Sequence, residues 1–597
     1  MRTPALQGPL TDAKVWPVRN YDDLTAAKNF LSSEWDRLAI DTETTGLSYH
    51  DEVRLVQFGD TRNAWVYDPK EFPQLTFDLM NLMVLGYPVV MHNSPFDCLH
   101  LARLVDSPVE YFMTNVADTQ IFAHLLDPRD KIDGGTGKGL KECSAHYVDS
   151  SAPDSQSALK VRFKELGFKM SEGFAKIDRW DPTLVLYAGI DVILTARLHQ
   201  EFKKVLPREM NHLVDFDHEV QTLTPRMTQK GVLVDLDYTQ ELLDELDQEL
   251  LDAQAEAYLM GVDNVSSTKQ VAEALQVRGI LLEERTPSGA FKVDKTILES
   301  LDDELARAVL TAKASMKATS SWIDPIFEHG RIDGRVHPRI KTLAARTSRM
   351  SITDPPLQQL PSGDHRVRSC LIADPGHSLV ACDFSQVEFR VLAALANEEK
   401  MIQTFAQGGD LHSANAERLF GPGFTQEQRR LAKGVGFGKI YGGGVDTLSR
   451  QAGVSKSEAR KTMAAFDRSF PRVTRWSRQL IDKVTHGEPL VQLPTGRKIP
   501  IDRRYGYRAT NYMIQGLAAD LFKGALLELD KAGMADYLLI PVHDEIIAQY
   551  PTEQAEEFSK NLEEIMSGDL GPVPITAEAE VIGRSWGDKY KKEDLYV

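Results

Sequence analysis

The stretch YLLIPVHDEIIAQY (537–550) restricts this chain more than any other. Apolar residues run from Leu538 to Val542 and resume at Ile546 and Ile547, with His543, Asp544 and Glu545 between them. Carboxylates flanked by apolar runs on both sides should be partly buried, and a buried, unpaired carboxylate is costly. Hairpin chemistry would account for polar residues at a tight turn. A cation would account for them equally, and Mg²⁺ is a natural one because it takes hard oxygen ligands and keeps water and phosphate oxygens in its shell.

A second segment matches the first. SLVACDFSQVEFRVLAALA (378–396) is an apolar strand that reaches Asp383 and then becomes helical. Alone, Asp383 could be a helix N-cap. If the two strands lie side by side, Asp383 and Asp544 meet and repel unless divalent metals separate them. Two metals about 4 Å apart can clamp the attacking and leaving oxygens of an in-line phosphoryl transfer. A third segment, EQRRLAKGVGFGKIYGGG (427–444), spaces Arg429, Lys433, Phe437 and Tyr441 by four, on one helical face. Two cations suit a triphosphate, and two aromatics suit a base or sugar. Gly434, Gly436 and Gly438 each cost the helix about 1 kcal/mol relative to Ala. They are expected where something packs closely against it.

These three segments resemble motifs A, B and C of the family A DNA polymerases: DFSQVEFR, RRLAKGVGFGKIYG and VHDE. LPTGRKIP (493–500), NYMIQGLAAD (511–520), TSRMSITDPPLQQLP (347–361), KGVLVD (230–235) and NVSSTKQ (264–270) resemble further segments of that family in the same order. The resemblance implies template-directed addition of dNTPs to a primer 3′ end, with two Mg²⁺ per active site and Mn²⁺ as a substitute. By it, Asp383 and Asp544 hold the metals and Glu545 has a lesser role. Arg429 and Lys433 grip the triphosphate, Lys433 donating a proton to pyrophosphate, and His412 approaches the phosphates. Phe437 and Tyr441 flank sugar and base. Glu388 pairs with Tyr441 and crowds the 2′ position, and Gln386 lines the pocket. Arg349, Asn511 and Gln515 touch the primer–template minor groove, and His543 the primer end. Arg508 matches a family arginine only approximately, being one position off. Phe384 stands where many members have Tyr. Phe rather than Tyr at 437 implies discrimination against dideoxynucleotides.

The N-terminal part alternates short strands at 37–41, 53–59, 64–68 and 88–92 with helical periodicity, an α/β pattern. LAIDTETTGL (38–47) carries Asp41 and Glu43 on one strand face. HNSPFD (92–97) places Asp97 at the end of another strand, and YAGID (187–191) puts Tyr187 and Asp191 at i and i+4. Helix caps and core packing would explain each alone. Together they resemble the DEDDy 3′–5′ exonucleases, the editing domain of the same polymerases. That implies two metals on Asp41, Glu43, Asp97 and Asp191, a water oriented by Tyr187, and support from Asn93 and Asp118. IDGGTGKGL (132–140) fails the phosphate-loop pattern, which needs Gly at 132 and Ser or Thr at 139, and reads as a plain connection.

The expected architecture is α/β and α+β multidomain: an RNase H-like exonuclease domain (1–205) and a right-hand polymerase. Its thumb is assigned to 206–325, the palm to 326–400 and 501–597, and the fingers to 401–500. The short segment before the first exonuclease strand leaves no room for the 5′-nuclease domain many relatives carry. This layout resembles a phage replicative enzyme acting in its host's cytoplasm. A nuclease with an inactive polymerase half, or a non-catalytic DNA-binding scaffold, are the alternatives.

Composition constrains the rest. The net charge of −18 hides basic clusters at 428–439 and 497–508, so a DNA groove is compatible with it. Four cysteines without a CxxC pair read as buried thiols. No signal peptide or membrane span is evident, and a monomer with primer–template DNA and dNTPs as partners is expected.

Overall fold

The computed structural model describes residues 6–7, 10, 12–361, 364–452 and 454–591. Its N-terminal third is built on a seven-stranded mixed sheet. Across it the strands run Leu6–Gln7, Lys14–Pro17, Asn63–Tyr67, Val53–Gly59, Leu38–Thr44, Val89–Met91 and Val116–Asp118. Leu38–Thr44 is the pivot, antiparallel to Val53–Gly59 and parallel to Val89–Met91. The long Pro182–Val205 helix covers one face. Gly189 permits its close approach: a Cβ there would stand 2.4 Å from Val15. One expectation fails locally. The Val89–Met91 strand stops before His92, and Asn93 takes a left-handed φ of 67°. Asp97 therefore lies in the first turn of the Ser94–Leu104 helix rather than at a strand end.

The Asn211–Lys230 helix joins this part to the next. Gln229 accepts from the Val109 N–H and donates to the Ser107 carbonyl, while Arg226 pairs with Asp530 and Asp536. Buried at its middle, Asp217 receives Arg497 at 2.9 Å and Lys523 at 3.0 Å, and Arg497 also reaches Asp520. Arg497 thus belongs to a closed ion network, not to a basic groove as its sequence neighbours implied. The Leu236–Leu259 and Glu304–Ala318 helices pack on one another, and their outer halves share a separate apolar cluster containing Ala257, Val271, Leu275, Leu305 and Val309. Beyond about 326 the strands are short at first. The Asp324–Asp333 helix comes first, followed by strands of two or three residues.

The C-terminal half centres on a four-stranded antiparallel sheet in the order Leu538–Val542, Glu545–Pro551, His377–Phe384, Ala577–Gly583. The first three of these strands are apolar at consecutive positions because they are buried on both faces, and the Val387–Ala396, Ala509–Lys531 and Ala555–Met566 helices contribute to the same core. The helices spanning 399–486, including Gln426–Tyr441, lie between the two halves of this sheet in sequence. All four cysteines are buried and free. Among the described residues no helix is long and apolar enough to cross a membrane.

Candidate active sites

The register of two neighbouring strands builds the first site. Asp383, next to last in His377–Phe384, pairs with Glu545, and the Phe384 N–H donates to the Asp544 carbonyl at 3.3 Å. Asp544 occupies the turn between Leu538–Val542 and Glu545–Pro551, where His543 holds a left-handed φ of 60°. A non-glycine residue in that conformation is uncommon and points to a turn fixed by its surroundings. The three acids differ in exposure. Asp383 opens to solvent, Asp544 is half-buried and Glu545 is buried, so the partial burial expected of Asp544 and Glu545 is met.

Desolvation in the cleft, then the charges of Asp544 and Glu545, raises Asp383 to about 7. Desolvation raises Asp544 as well. Glu545 has its own counter-ion: Lys589 pairs with it and stands 3.3 Å from Glu580. The aspartates therefore form a hard-oxygen set that Lys589 and Arg349 offset only in part, which suits a divalent cation.

Around this pair the Gln426–Tyr441 helix carries the cation–aromatic stripe. Its start is a capping box, Thr425 accepting from the Gln428 N–H while Gln428 accepts from Thr425. Arg429 is held by Asp410 at 2.7 Å and Ser413 at 3.0 Å. Lys433 is exposed, its ammonium 5.9 Å from the Phe437 ring. Phe437 meets Phe389 edge-on at 5.0 Å and Tyr441 at 6.1 Å. Of the three glycines only Gly436 has a tight neighbour; a Cβ there would meet Phe389 at 2.8 Å. Close packing thus explains Gly436, while Gly434 and Gly438 have nothing nearer than 3.6 Å.

Glu388 accepts from the Tyr441 hydroxyl at 3.0 Å and pairs with Arg349. Gln515 also bonds Tyr441. Gln386, at a φ of 54°, donates to Asp410 at 3.1 Å, and its Oε1 is buried without a partner, as is Asn511 Nδ2. His412 is buried against the Phe389 edge, with Lys433 and Arg429 near enough to act on it, and burial lowers it to about 4. Arg508 stacks on Tyr505 at 4.5 Å.

The second site lies where Leu38–Thr44, the Ser94–Leu104 helix and the Pro182–Val205 helix converge. Asp41 accepts from Gln57 at 3.0 Å. Asp97 accepts from the Thr42 N–H at 3.0 Å and the Thr42 hydroxyl at 2.7 Å. Desolvation raises Asp41 to about 6 and carries Glu43 and Asp97 well above the usual carboxylate range, with neighbouring acids adding to both. Tyr187 is raised by burial and by Glu43 and Asp41. A cavity of about 610 Å³, lined in part by Glu43, Phe96, Phe174 and Tyr187, opens beside them. Asp118 plays a scaffold part: it accepts from the Asn93 and Ser94 N–H groups and caps the Thr119–Leu126 helix.

Sequence reasoning missed the cation here. Lys141, at the start of the Leu140–Tyr147 helix, reaches in from one residue past the 132–140 segment read as a plain connection. Its ammonium pairs with Asp191, hydrogen-bonds Ser155 at 3.1 Å and lies 4.8 Å from the Tyr187 ring centroid. Burial lowers it to about 7, against the pull of Asp41 and Glu43. Asp410 and Lys589, which partner Arg429 and Glu545, were missed as well. The only sequence hint for Lys141 is a lysine set among Leu140, Cys143 and Ser144, the buried side of a short helix.

With this geometry in view, comparison with known proteins is direct. The sequence profile of DNA polymerase family A matches residues 236–588, and that of a 3′–5′ exonuclease matches residues 16–207. Proteins named DNA polymerase from Mycobacterium phage D29 and Mycobacterium phage L5 are each 35% identical, with 98% of both chains covered. The solved POL domain of Pol1 from M. smegmatis, in complex with DNA primer-template and dNTP, aligns over 96% of this chain and 99% of its own. Its TM-score is 0.77 at 22% identity, a likeness of fold.

Proposed function

This chain belongs to DNA polymerase family A and carries a 3′–5′ exonuclease domain, and we propose that Asp383 with Asp544 forms its synthesis centre and Asp41, Glu43, Asp97 and Asp191 its editing centre. The observation that carries the first assignment is the strand register that sets Asp383 beside the Asp544–Glu545 turn. The D29 and L5 relatives are phage proteins, and the Pol1 neighbour was solved with primer-template and dNTP. We read this chain likewise as a phage replicative enzyme that takes DNA and dNTPs. We also propose the division into exonuclease (1–205), thumb (206–325), palm (326–400 and 501–597) and fingers (401–500).

The donor sets fit two divalent cations per site, Mg²⁺ or Mn²⁺; when bound they supply the positive charge that activates the attacking oxygen and stabilises the leaving one. The chain's own groups do the remaining work. Arg429, now bound to Asp410, is freed for an incoming triphosphate that competes for its guanidinium, and exposed Lys433 stands one turn on. Glu388, fixed by Tyr441 and Arg349, presents a carboxylate wall that disfavours a 2′ hydroxyl. The unpartnered Gln386 Oε1 and Asn511 Nδ2 are polar atoms for nucleotide and primer–template to satisfy. Arg349, Gln515, His543 and Arg508 complete the DNA-facing set. In the editing centre Tyr187 orients the attacking water at the cavity that takes the primer end. Editing complements selection, because a mismatch is discriminated by only a few kcal/mol in one step.

Incubating the protein with Mg²⁺, dNTPs and a primer ending in a mismatch tests this reading. The expected products are first shortened and then extended. Extension without prior shortening would remove the editing assignment, and shortening alone the synthesis assignment.

A further inference from the structure

The editing cluster has a feature that its carboxylates alone do not account for. Glu43, Asp97 and Asp191 are all at least nine-tenths buried, and Asp41 is half-buried beside them. Such a set is unstable without positive charge. Lys141, itself 7% exposed, supplies it: its ammonium contacts Asp191 and Ser155, and Asp41 and Glu43 are close enough to act on it. Arg54, the other cation acting on Glu43, spends its guanidinium on the Phe174 and Ile177 carbonyls. Among the described residues Lys141 is therefore the one cation paired with a member of this cluster.

We propose that Lys141 is the built-in counter-ion of the metal-free editing centre, and that a divalent cation enters by displacing its ammonium from Asp191. This rests on the reading of the four acids as a metal site. The chemistry favours an exchange over coexistence. An ammonium in contact with Asp191 and a metal on the same carboxylate repel across a desolvated site, so each weakens the binding of the other. The flexible four-carbon stem lets the head withdraw while Ser155 still accepts from it. Lys141 is thus a positioning residue: it holds Asp191 in place before loading and raises the metal concentration that loading needs.

The test is Mn²⁺ binding to the full chain, followed by the electron paramagnetic resonance signal of free Mn²⁺. An Asp383→Asn, Asp544→Asn, His50→Gln background removes the synthesis aspartates and breaks the His50–Asp333–His337 group, leaving the editing cluster as the site reported. Lys141→Met is expected to bind Mn²⁺ at least threefold more tightly than the Lys141 parent. It should also unfold at lower temperature in EDTA and gain more from added Mn²⁺. A purely structural lysine would give the opposite sign, since a disordered cluster binds metal worse. Equal or weaker Mn²⁺ affinity in Lys141→Met overturns the proposal. Lys141→Gln, which keeps a donor for Asp191 and Ser155 without the charge, carries the same expectation and serves if the Met variant does not fold. Asp41→Asn in the same background separates the two claims. If it binds Mn²⁺ as well as its parent, the acids are not the metal site and the underlying reading fails. If it loses binding while Lys141→Met stays unchanged, only the counter-ion role fails.

Discussion

The two acid clusters of this molecule handle the same electrostatic problem in opposite ways. In the proposed editing centre Glu43, Asp97 and Asp191 are at least nine-tenths buried, and the lysine contacts Asp191, a proposed metal ligand itself. In the synthesis centre Asp383 opens to solvent, and the local lysine, Lys589, is taken up by Glu545 and Glu580. Among the described residues the pair Asp383–Asp544 has no ion-pair partner; Lys589 and Arg349 act on it only from a distance. A cleft that must accept a bulky duplex end cannot bury its ligands, so water shares the screening. Acids that are nine-tenths buried have little water to screen them and need an internal cation. The Asp217–Asp520–Arg497–Lys523 network is the third case: two acids and two bases, buried and balanced, with no room or need for a metal.

Mutations can break this comparison. The largest effect should come from Asp97→Ala, which is expected to cut editing by about 10³-fold or more while incorporation stays within about twofold. Rates on single-stranded and on matched primer–template DNA measure the two separately; a matching loss of incorporation would mean the clusters are not independent. Next, Arg497→Met should cost about 3–5 kcal/mol of stability, read from urea denaturation, because it leaves the buried acids Asp217 and Asp520 with Lys523 as their one base. Mg²⁺ should not restore it, whereas Mg²⁺ should stabilise the wild-type clusters. Smaller again is the metal requirement. Half-saturating Mg²⁺ for editing should exceed that for incorporation severalfold, as a metal must replace Lys141 in one site and only water in the other. Equal requirements would erase the contrast.

The smallest effect concerns the seam between the two halves. His124 meets the Ala345 carbonyl at 2.9 Å, and burial lowers it to about 3. Its folded pKa lies below the unfolded value of about 6.5, so between those values the unfolded chain binds the extra proton. Stability is therefore intact above about 6.5 and lost as pH falls toward 3. His124→Gln should flatten that acid slope by up to about 1.4 kcal/mol per pH unit, measured by denaturant midpoints across the window. An unchanged slope would exclude His124 as a contributor.

Much of both sites was legible in the sequence, because acids that interrupt apolar strands are conspicuous. The strand at 53–59, the turn at Asp544 and the stripe from Arg429 to Tyr441 all follow from local patterning. The partners were not legible, because each comes from far along the chain. Lys141 lies 50 residues from Asp191, Lys589 lies 44 from Glu545, and Arg497 lies 280 from Asp217. No spacing rule links such pairs. A charged residue in a basic run looks the same whether it lines a groove, as expected for Arg497, or closes a buried network, as it does. His412 shows the same limit: its ring packs on Phe389 across a helix junction that the sequence does not announce.

The claim on which the rest depends is that Asp383 serves synthesis and not editing. The most direct measurement is a gel of matched primer–template incubated with Asp383→Ala, Mg²⁺ and all four dNTPs. The account predicts a ladder of products shorter than the primer and none longer. Products longer than the primer would contradict it.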